Sequence, residues 1–254
     1  MTDFADILKR WRKSRRLSQL ALAMQANVSA RHIAFLETGR ARPSAAMIGR
    51  LGDALRLPLD VRNQMLTSAG FAQRYSARQW DAAEMAPVRA AVNYSLDRHA
   101  PYPALAVDRL WLVIALNAPA RILFGALGID EGSSLLDLMT SEVLPPLIEN
   151  WPEVAHHAAQ RLRTESTAQG GVERLDHAAD TLASVPGARQ GPLGPVMPTV
   201  YRIGTLRLSL FAIIAQFGTA EDMTLDDVKI ELYFPADSQT DEALRKLVTK
   251  AGAK

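Results

Sequence analysis

Residues 18–44, SQLALAMQANVSARHIAFLETGRARPS, constrain the fold more than any other stretch of the chain. Ser18 stands where a helix N-cap is needed, its hydroxyl placed to accept an orphan backbone N–H. It opens a short helix that turns Leu22 inward. Asn27, Val28 and Ser29 have the turn chemistry to reverse the chain within three residues. Ser29 then caps a second helix from Ala30 to Glu37, and Gly39 stops it. Ile33 and Leu36 are three apart and face the interior beside Val28, so the first turn of this helix points outward. The pattern spells two short helices held at a fixed angle.

The surrounding residues complete a small helical unit. Phe4, Ile7, Leu8 and Trp11 form an apolar stripe on a preceding helix. Ser44, after Pro43, caps a fourth helix in which Met47, Ile48, Leu51 and Leu55 recur at helical spacing. Pro58 lies near the first turn of a fifth, where its missing N–H costs nothing, and Gly70 terminates it. Charge is concentrated here. Residues 1–56 hold eleven Lys or Arg and four acids, a balance of +7, whereas the whole chain carries +2 and the remainder therefore −5. A basic head on an acidic body suits a partner of dense negative charge, and a merely solubilising surface is the plainer reading.

A helix of this size fits the major groove of B-DNA. Ser29, Ala30, Arg31 and His32 occupy its outward start. Arg31 is the candidate for a bidentate contact to guanine, and Phe35, one turn on, for a thymine methyl. Gln19 can reach phosphate through its amide and the helix N-terminus. Arg40 and Arg42 suit backbone phosphates on the far side. Each has an alternative: Arg31 and His32 can face solvent or phosphate, and Phe35 can belong to the core. Glu37 should avoid phosphate and pair with Arg12.

The run Ser18-Gln19, Ala23, Val28-Ser29, Ile33, Leu36-Glu37, Gly39 and Pro43-Ser44 resembles the XRE family of phage-repressor-type helix-turn-helix regulators over residues 4–68. The resemblance implies that Gln19, Ala30, Arg31 and Phe35 contact DNA and that Arg12 and Glu37 form a structural ion pair. Leu20-Ala21 departs from it, replacing acidic residues often found early in the second helix.

Beyond the head, an apolar fraction of 48% is enough for a second core. The lack of cysteine excludes disulfides and thiolate chemistry. No run is long enough to span a membrane and the N-terminus has no signal-peptide core, so a cytoplasmic protein without membrane contact is expected. Residues 71–87 read as a connector and Pro87 to His99 as a helix, with Val88, Val92 and Leu96 on one face. Short strands follow at 102–108 and 111–117 around an Asp108-Arg109 turn, then a helix capped by Asn117. Further helices are expected at 135–138, 143–148, 154–163 and 177–182. A Pro- and Gly-rich loop covers 183–199, and strands at 200–203, 205–217 and 225–234 should pair antiparallel with one buried face. A helix at 240–250 closes the chain. The fold class is thus a mainly α five-helix head over residues 1–70 and an α+β body over 88–254.

The segment Ala100–Gly125, with Tyr102-Pro103, Asp108-Arg109, Trp111, Asn117 and Phe124-Gly125, resembles the MmyB-like regulator ligand-binding domain, a PAS-like fold. Phe217-Gly218-Thr219 through Phe234-Pro235-Ala236-Asp237 fits the same family's last strands. The resemblance implies helices laid across an antiparallel sheet with a ligand between them, of fatty-acyl or similar small apolar type. Trp111, Phe124, Trp151, Phe211 and Phe217 are candidate lining residues, with ordinary core as their alternative. Arg121 is a candidate for a carboxylate head, or a plain surface arginine.

No nucleophile elbow, dinucleotide fingerprint, phosphate loop or zinc-protease motif is present, so no enzyme is expected. His156 and His157 point about 100° apart on a helix, so only one can join Glu153, and no metal is expected. The first reading is a one-component regulator that binds a double-stranded DNA operator as a homodimer and senses a small apolar ligand. Its rival is a DNA-binding regulator whose body serves only dimerisation or protein contacts.

Overall fold

The computed structural model describes residues 3–75, 79–187, 196–217, 225 and 227–251. The chain divides into two compact units, the first built on Met1–Arg78 and the second on Gln79–Ser166, Val172–Gly218 and Asp227–Lys254.

The first unit contains five helices: α1 (Phe4–Ser14), α2 (Gln19–Gln25), α3 (Ala30–Glu37), α4 (Ala45–Leu55) and α5 (Leu59–Ser68). Three of them begin on the expected serines. Ser18, Ser29 and Ser44 accept from the backbone N–H of Ala21, His32 and Met47. Asn27, at φ 51°, takes the left-handed turn between α2 and α3, a conformation that Asn tolerates better than most residues. The α1 stripe meets Leu22, Ile33, Leu36, Ile48 and Leu51 in one core. Beneath it Glu37 is clamped. Arg12 Nε and Nη2 donate to its two oxygens at 2.6 and 2.9 Å, and Gln19 Nε2 adds a third bond at 2.8 Å. Arg12 Nη1 is spent on the Leu17 carbonyl at 2.8 Å.

Residues just beyond α5 are tied down. Buried Asn63 accepts from the backbone N–H of Arg74 and Tyr75 and donates to the Tyr75 carbonyl. On the other side, Arg89 donates to the carbonyls of Trp80 and Ala82. The stretch 71–87 therefore has structure at both ends, including a 3-10 turn at Ala83–Met85.

The second unit is an α+β domain. Its five-stranded antiparallel sheet has the order β2-β1-β5-β4-β3, with β1 (Ala104–Val107), β2 (Val113–Leu116), β3 (Thr199–Ile203), β4 (Leu206–Gln216) and β5 (Lys229–Pro235). Register is fixed by pairs such as Leu105↔Glu231 and Ala212↔Tyr233. The helices are α6 (Ala86–Arg98), α7 (Ala118–Gly125), α8 (Leu135–Met139), α9 (Trp151–Ala168), α10 (Glu173–Ala183) and α11 (Ser238–Ala251).

The expectation of one buried sheet face is corrected. Val92 and Leu96 of α6 pack on Ala104, Ala106, Ala115 and Ile230, while Leu105, Val107, Leu208 and Leu210 face a larger core with α7, α9 and α10. Ala104, Ala106 and Ala115 let α6 approach and cover that face over β1, β2 and the start of β5, while on β4 it stays open at Ile213, 50% exposed. Other differences are of extent. The stretch expected to be helical at 143–148 is a 3-10 turn at Pro145–Leu147, where consecutive prolines remove N–H donors. The last strand starts at Lys229 rather than 225. Residues 188–195 of the expected loop lie outside the described residues.

Asn117 ties three elements together. Its Oδ1 accepts from Ala104 N and Ala120 N, and its Nδ2 donates to the Leu96 and Tyr102 carbonyls, all within 3.0 Å. A buried side chain with all these bonds made fixes the ends of α6, β1 and α7 relative to one another.

Three stability outcomes follow. Asn117→Leu strands buried donors and acceptors and should lower unfolding free energy by about 3 kcal/mol or more, read by chemical denaturation. Arg12→Met leaves a buried carboxylate uncompensated and should cost about 3 kcal/mol. Burial alone would push Glu37 up, but the bonds from Arg12 and Gln19 and the charge of Arg12 hold it below the usual carboxylate range. Its contribution is therefore complete above the unfolded value of about 4.3 and is lost as pH falls through the lower folded value. Glu37→Gln should flatten that acid limb of the stability curve.

Candidate nucleic-acid interface and ligand cavity

Helix α3 divides cleanly into two sides. Ile33 and Leu36 are fully buried. Ser29 and Arg31 are exposed, and Ala30 and His32 are half-exposed beside them. The Arg31 guanidinium lies 5.2 Å from the Phe35 ring centroid, so two expected base contacts touch each other and Phe35 is half-buried rather than free. Ser29 Oγ is engaged in its cap bond to His32 N at 3.1 Å. Arg40 and Arg42 are exposed in the turn after α3. Gln19 sits at the start of α2, but its amide N–H is given to Glu37. The sequence reading paired Glu37 with Arg12 alone. Glu37 also orients Gln19, and because one carboxylate carries both, α1, α2 and α3 share a single polar joint.

The second unit holds a cavity of about 230 Å³ on the face of the sheet that carries Leu105, Glu231 and Tyr233, opposite α6. Trp111, Phe124 and Trp151 line it together with Leu105, Leu135 and Ile148. Phe211, Phe217 and Arg121 do not. In β4 the even-numbered Ala212 and Ile214 face the cavity. Strand alternation sends Phe211 to the other face, where it stacks on Phe234 with centroids 5.5 Å apart. Phe217 packs with the α6 cluster, and Gly218 and Thr219 of its motif lie outside the described residues. Arg121 is nearly half exposed and pairs with Asp130 at 2.8 Å and with Glu131.

One feature of the cavity wall escaped sequence reasoning. Arg161, Glu165 and Lys229 surround Trp111, and Glu231 pairs with Arg161 at 2.8 Å. Its indole Nε1 donates to Glu165 Oε2 at 2.9 Å. Arg161 stacks over the ring at 4.1 Å and donates through Nε to Glu165 Oε1 at 3.0 Å. Lys229 Nζ reaches Glu165 Oε2, and Tyr233 Oη donates to Glu231 Oε2 at 2.7 Å. Trp111 holds this position at φ 62°, an unfavourable conformation for a large side chain, with its carbonyl accepting from Leu135 N.

Electrostatically the cluster is balanced, with two cations against two carboxylates, of which Arg161 and Glu231 line the cavity. Burial would raise Glu165, yet the charges of Lys229 and Arg161 and the indole bond keep it below its usual range. His157, also on the wall, is lowered by burial and then by Arg161, which favours its neutral imidazole. Tyr233 is pushed well up by burial and by Glu231, so it stays a donor. The signal that was present is the alternation Lys229-Ile230-Glu231-Leu232-Tyr233. Polar residues at period two ordinarily mark a solvent face, and only the docking of α9 turns them inward.

Among the described residues no group of three or more His, Asp or Glu is placed to hold a metal ion, and no helix is long and apolar enough to cross a membrane.

The comparisons with known proteins agree with this geometry. Residues 3–65 match the family model of a helix-turn-helix domain. Residues 88–247, well over half of the chain, match that of the MmyB-like transcription regulator ligand binding domain. No curated protein matches the chain. The chain therefore belongs to the MmyB-like transcription regulators, with an XRE-type helix-turn-helix head and their ligand-binding domain as its body.

Proposed function

We propose that the protein is a one-component sensor. Its head reads an operator through the outer face of α3, and its body takes a small apolar molecule of fatty-acyl or similar type into the cavity. The observation that carries the sensing half is that cavity, walled by aromatic and aliphatic side chains with a few grouped polar atoms, the usual make-up of a small-molecule site. On the DNA side, Arg31 and His32 would address base edges. Ser29, Ala30 and Phe35 would shape the approach, and Gln19, Arg40 and Arg42 would hold phosphates.

A single head makes too few base contacts for a tight, selective site, so the protein would act as a homodimer on half-sites about 34 Å apart or a multiple of that. The stretch 71–87 would join head to body. A ligand switches such a molecule only through unequal affinity for its DNA-competent and incompetent states. Its location would be the cytoplasm, and no catalytic step is assigned to it.

Solvent extraction and native mass spectrometry of the purified full-length protein test the sensing half. A co-purified apolar molecule, displaced by a bulky Ala158→Trp substitution in the cavity wall, is the expected outcome. An empty protein that also takes up no added medium-chain lipid would reverse the reading in favour of a body used for assembly alone.

For the DNA half, Arg31→Ala should lose about 1–3 kcal/mol of discrimination at one base position. Arg40→Ala should weaken all duplexes alike and reduce the salt slope by about one. Anisotropy titrations at several salt concentrations separate the two, and an unchanged preferred site in Arg31→Ala would remove Arg31 from base reading.

A further inference from the structure

Strand β4 outruns its neighbour. β3 pairs with it only from Leu206 to Leu210, and the chain just before β3 is held elsewhere, by Asn150 Nδ2 donating to the Pro198 carbonyl at 2.9 Å. β4 continues through Phe211–Gln216 with β5 as its strand partner. The residues opposite in β5 are covered: Lys229, Ile230 and Glu231 are each 5% exposed or less. Those of β4 are not. Ala212, Ile213, Ile214, Ala215 and Gln216 are all exposed, Ile213 at 50% on the α6 side and Ile214 at 40% on the other. The open edge also has defined polarity. Ser209 O accepts from Ala236 N, and Tyr233 N donates to Pro103 O, which fixes the alternation of the ladder. Phe211, Ile213 and Ala215 therefore turn their N–H and C=O toward β5. Ala212, Ile214 and Gln216 turn theirs outward, where no strand among the described residues meets them. Neither a charge nor a proline interrupts residues 211–216, although these are the usual guards of such an edge.

We propose that a second copy of this chain covers the edge, β4 against β4, joining two five-stranded sheets into one. The proposal rests on the homodimer reading given above and names its interface. The partner follows from self-complementarity. One antiparallel register brings all three outward residues into hydrogen-bonded pairs: Ile214 opposite the partner's Ile214, and Ala212 opposite the partner's Gln216 on either side of it. Each pair exchanges two bonds, and the two-fold axis passes through the central pair. Ile213 then lies beside the partner's Ala215 on the α6 face, while the two isoleucines at 214 meet on the opposite face. The uncharged stretch gives no preference for an acidic or basic peptide, and self-pairing sets no like charges against each other. Six residues at about 3.4 Å each make a seam about 20 Å long. That is short beside interfaces burying about 1,200–2,000 Å², so the free protein should dimerise reversibly.

The chain has no cysteine, so single cysteines introduced into the full-length protein report the register. In Ile214→Cys the paired Cα atoms would stand about 5.5 Å apart, within the range of about 4.4–6.8 Å that a disulfide spans. In Ala212→Cys the two cysteines would be offset by about 13 Å along the strands and out of reach. Mild oxidation should cross-link the first readily and the second little. Sedimentation over micromolar concentrations should show a monomer–dimer equilibrium, weakened about tenfold or more by Gln216→Pro. That change removes an outward N–H, at a position where an edge strand tolerates proline. Should circular dichroism show this variant unfolded, the cysteine pair decides. Cross-linking at both positions alike, or at neither in a protein that sediments as a dimer, overturns the β4 seam and leaves the homodimer reading standing. A monomer at every concentration, with and without duplex DNA, overturns both.

Discussion

A charge taken out of water has to be met by another charge or by several donors, and both halves of this protein are organised around that requirement. In the head the buried carboxylate is Glu37. Its two oxygens are filled by Arg12 and Gln19, and the geometry that fills them draws α1, α2 and α3 to one point. Without the clamp, the inner end of α3 would carry an unpaired anion, and the helix would lose the anchor that leaves its other face outward. In the body the same requirement is met beside Trp111, where Arg161 pairs with Glu165 and Glu231 and Lys229 pairs with Glu165.

The difference between the two clusters is informative. Glu37 closes a structural joint, every oxygen engaged, as a rigid element that presents a recognition surface needs. The Trp111 cluster instead places charged side chains, Arg161 and Glu231, on the wall of an otherwise largely apolar cavity. Trp111 is central to both aspects of the wall. Its left-handed backbone is held by Leu135 N, its indole bonds Glu165, and its ring face carries Arg161. Backbone strain of this kind persists where surrounding interactions over-determine the conformation.

Much of the head is legible in the sequence because its signals are local. Ser18, Ser29 and Ser44 cap helices through bonds three residues away, and Ile33 and Leu36 repeat at helical spacing, so no distant information is needed. The hairpin of β1 and β2 and the Asn117 cap of α7 are legible for the same reason. The cavity is less so. Trp111, Phe124 and Trp151 are recognisable as large apolar residues, but so are Phe211 and Phe217, and only strand parity and the position of α6 separate the two sets. The charged wall depends on a pairing between α9 and β5 across more than sixty residues of chain, and alternating charge in a strand reads as a solvent face until a helix is seen to cover it. Gln19 illustrates the converse: its residue type fits phosphate contact, while its actual bond is decided by where Glu37 lies.

The central claim is that the outer face of α3, freed by the inward clamp on Glu37, recognises a duplex sequence in pairs. In vitro selection from a random duplex library with the full-length protein measures this most directly. The account predicts enrichment of a two-fold symmetric site with half-sites about one helical turn, or a whole number of turns, apart. Failure to retain duplex DNA even at low salt, or retention with no enriched sequence, would contradict it.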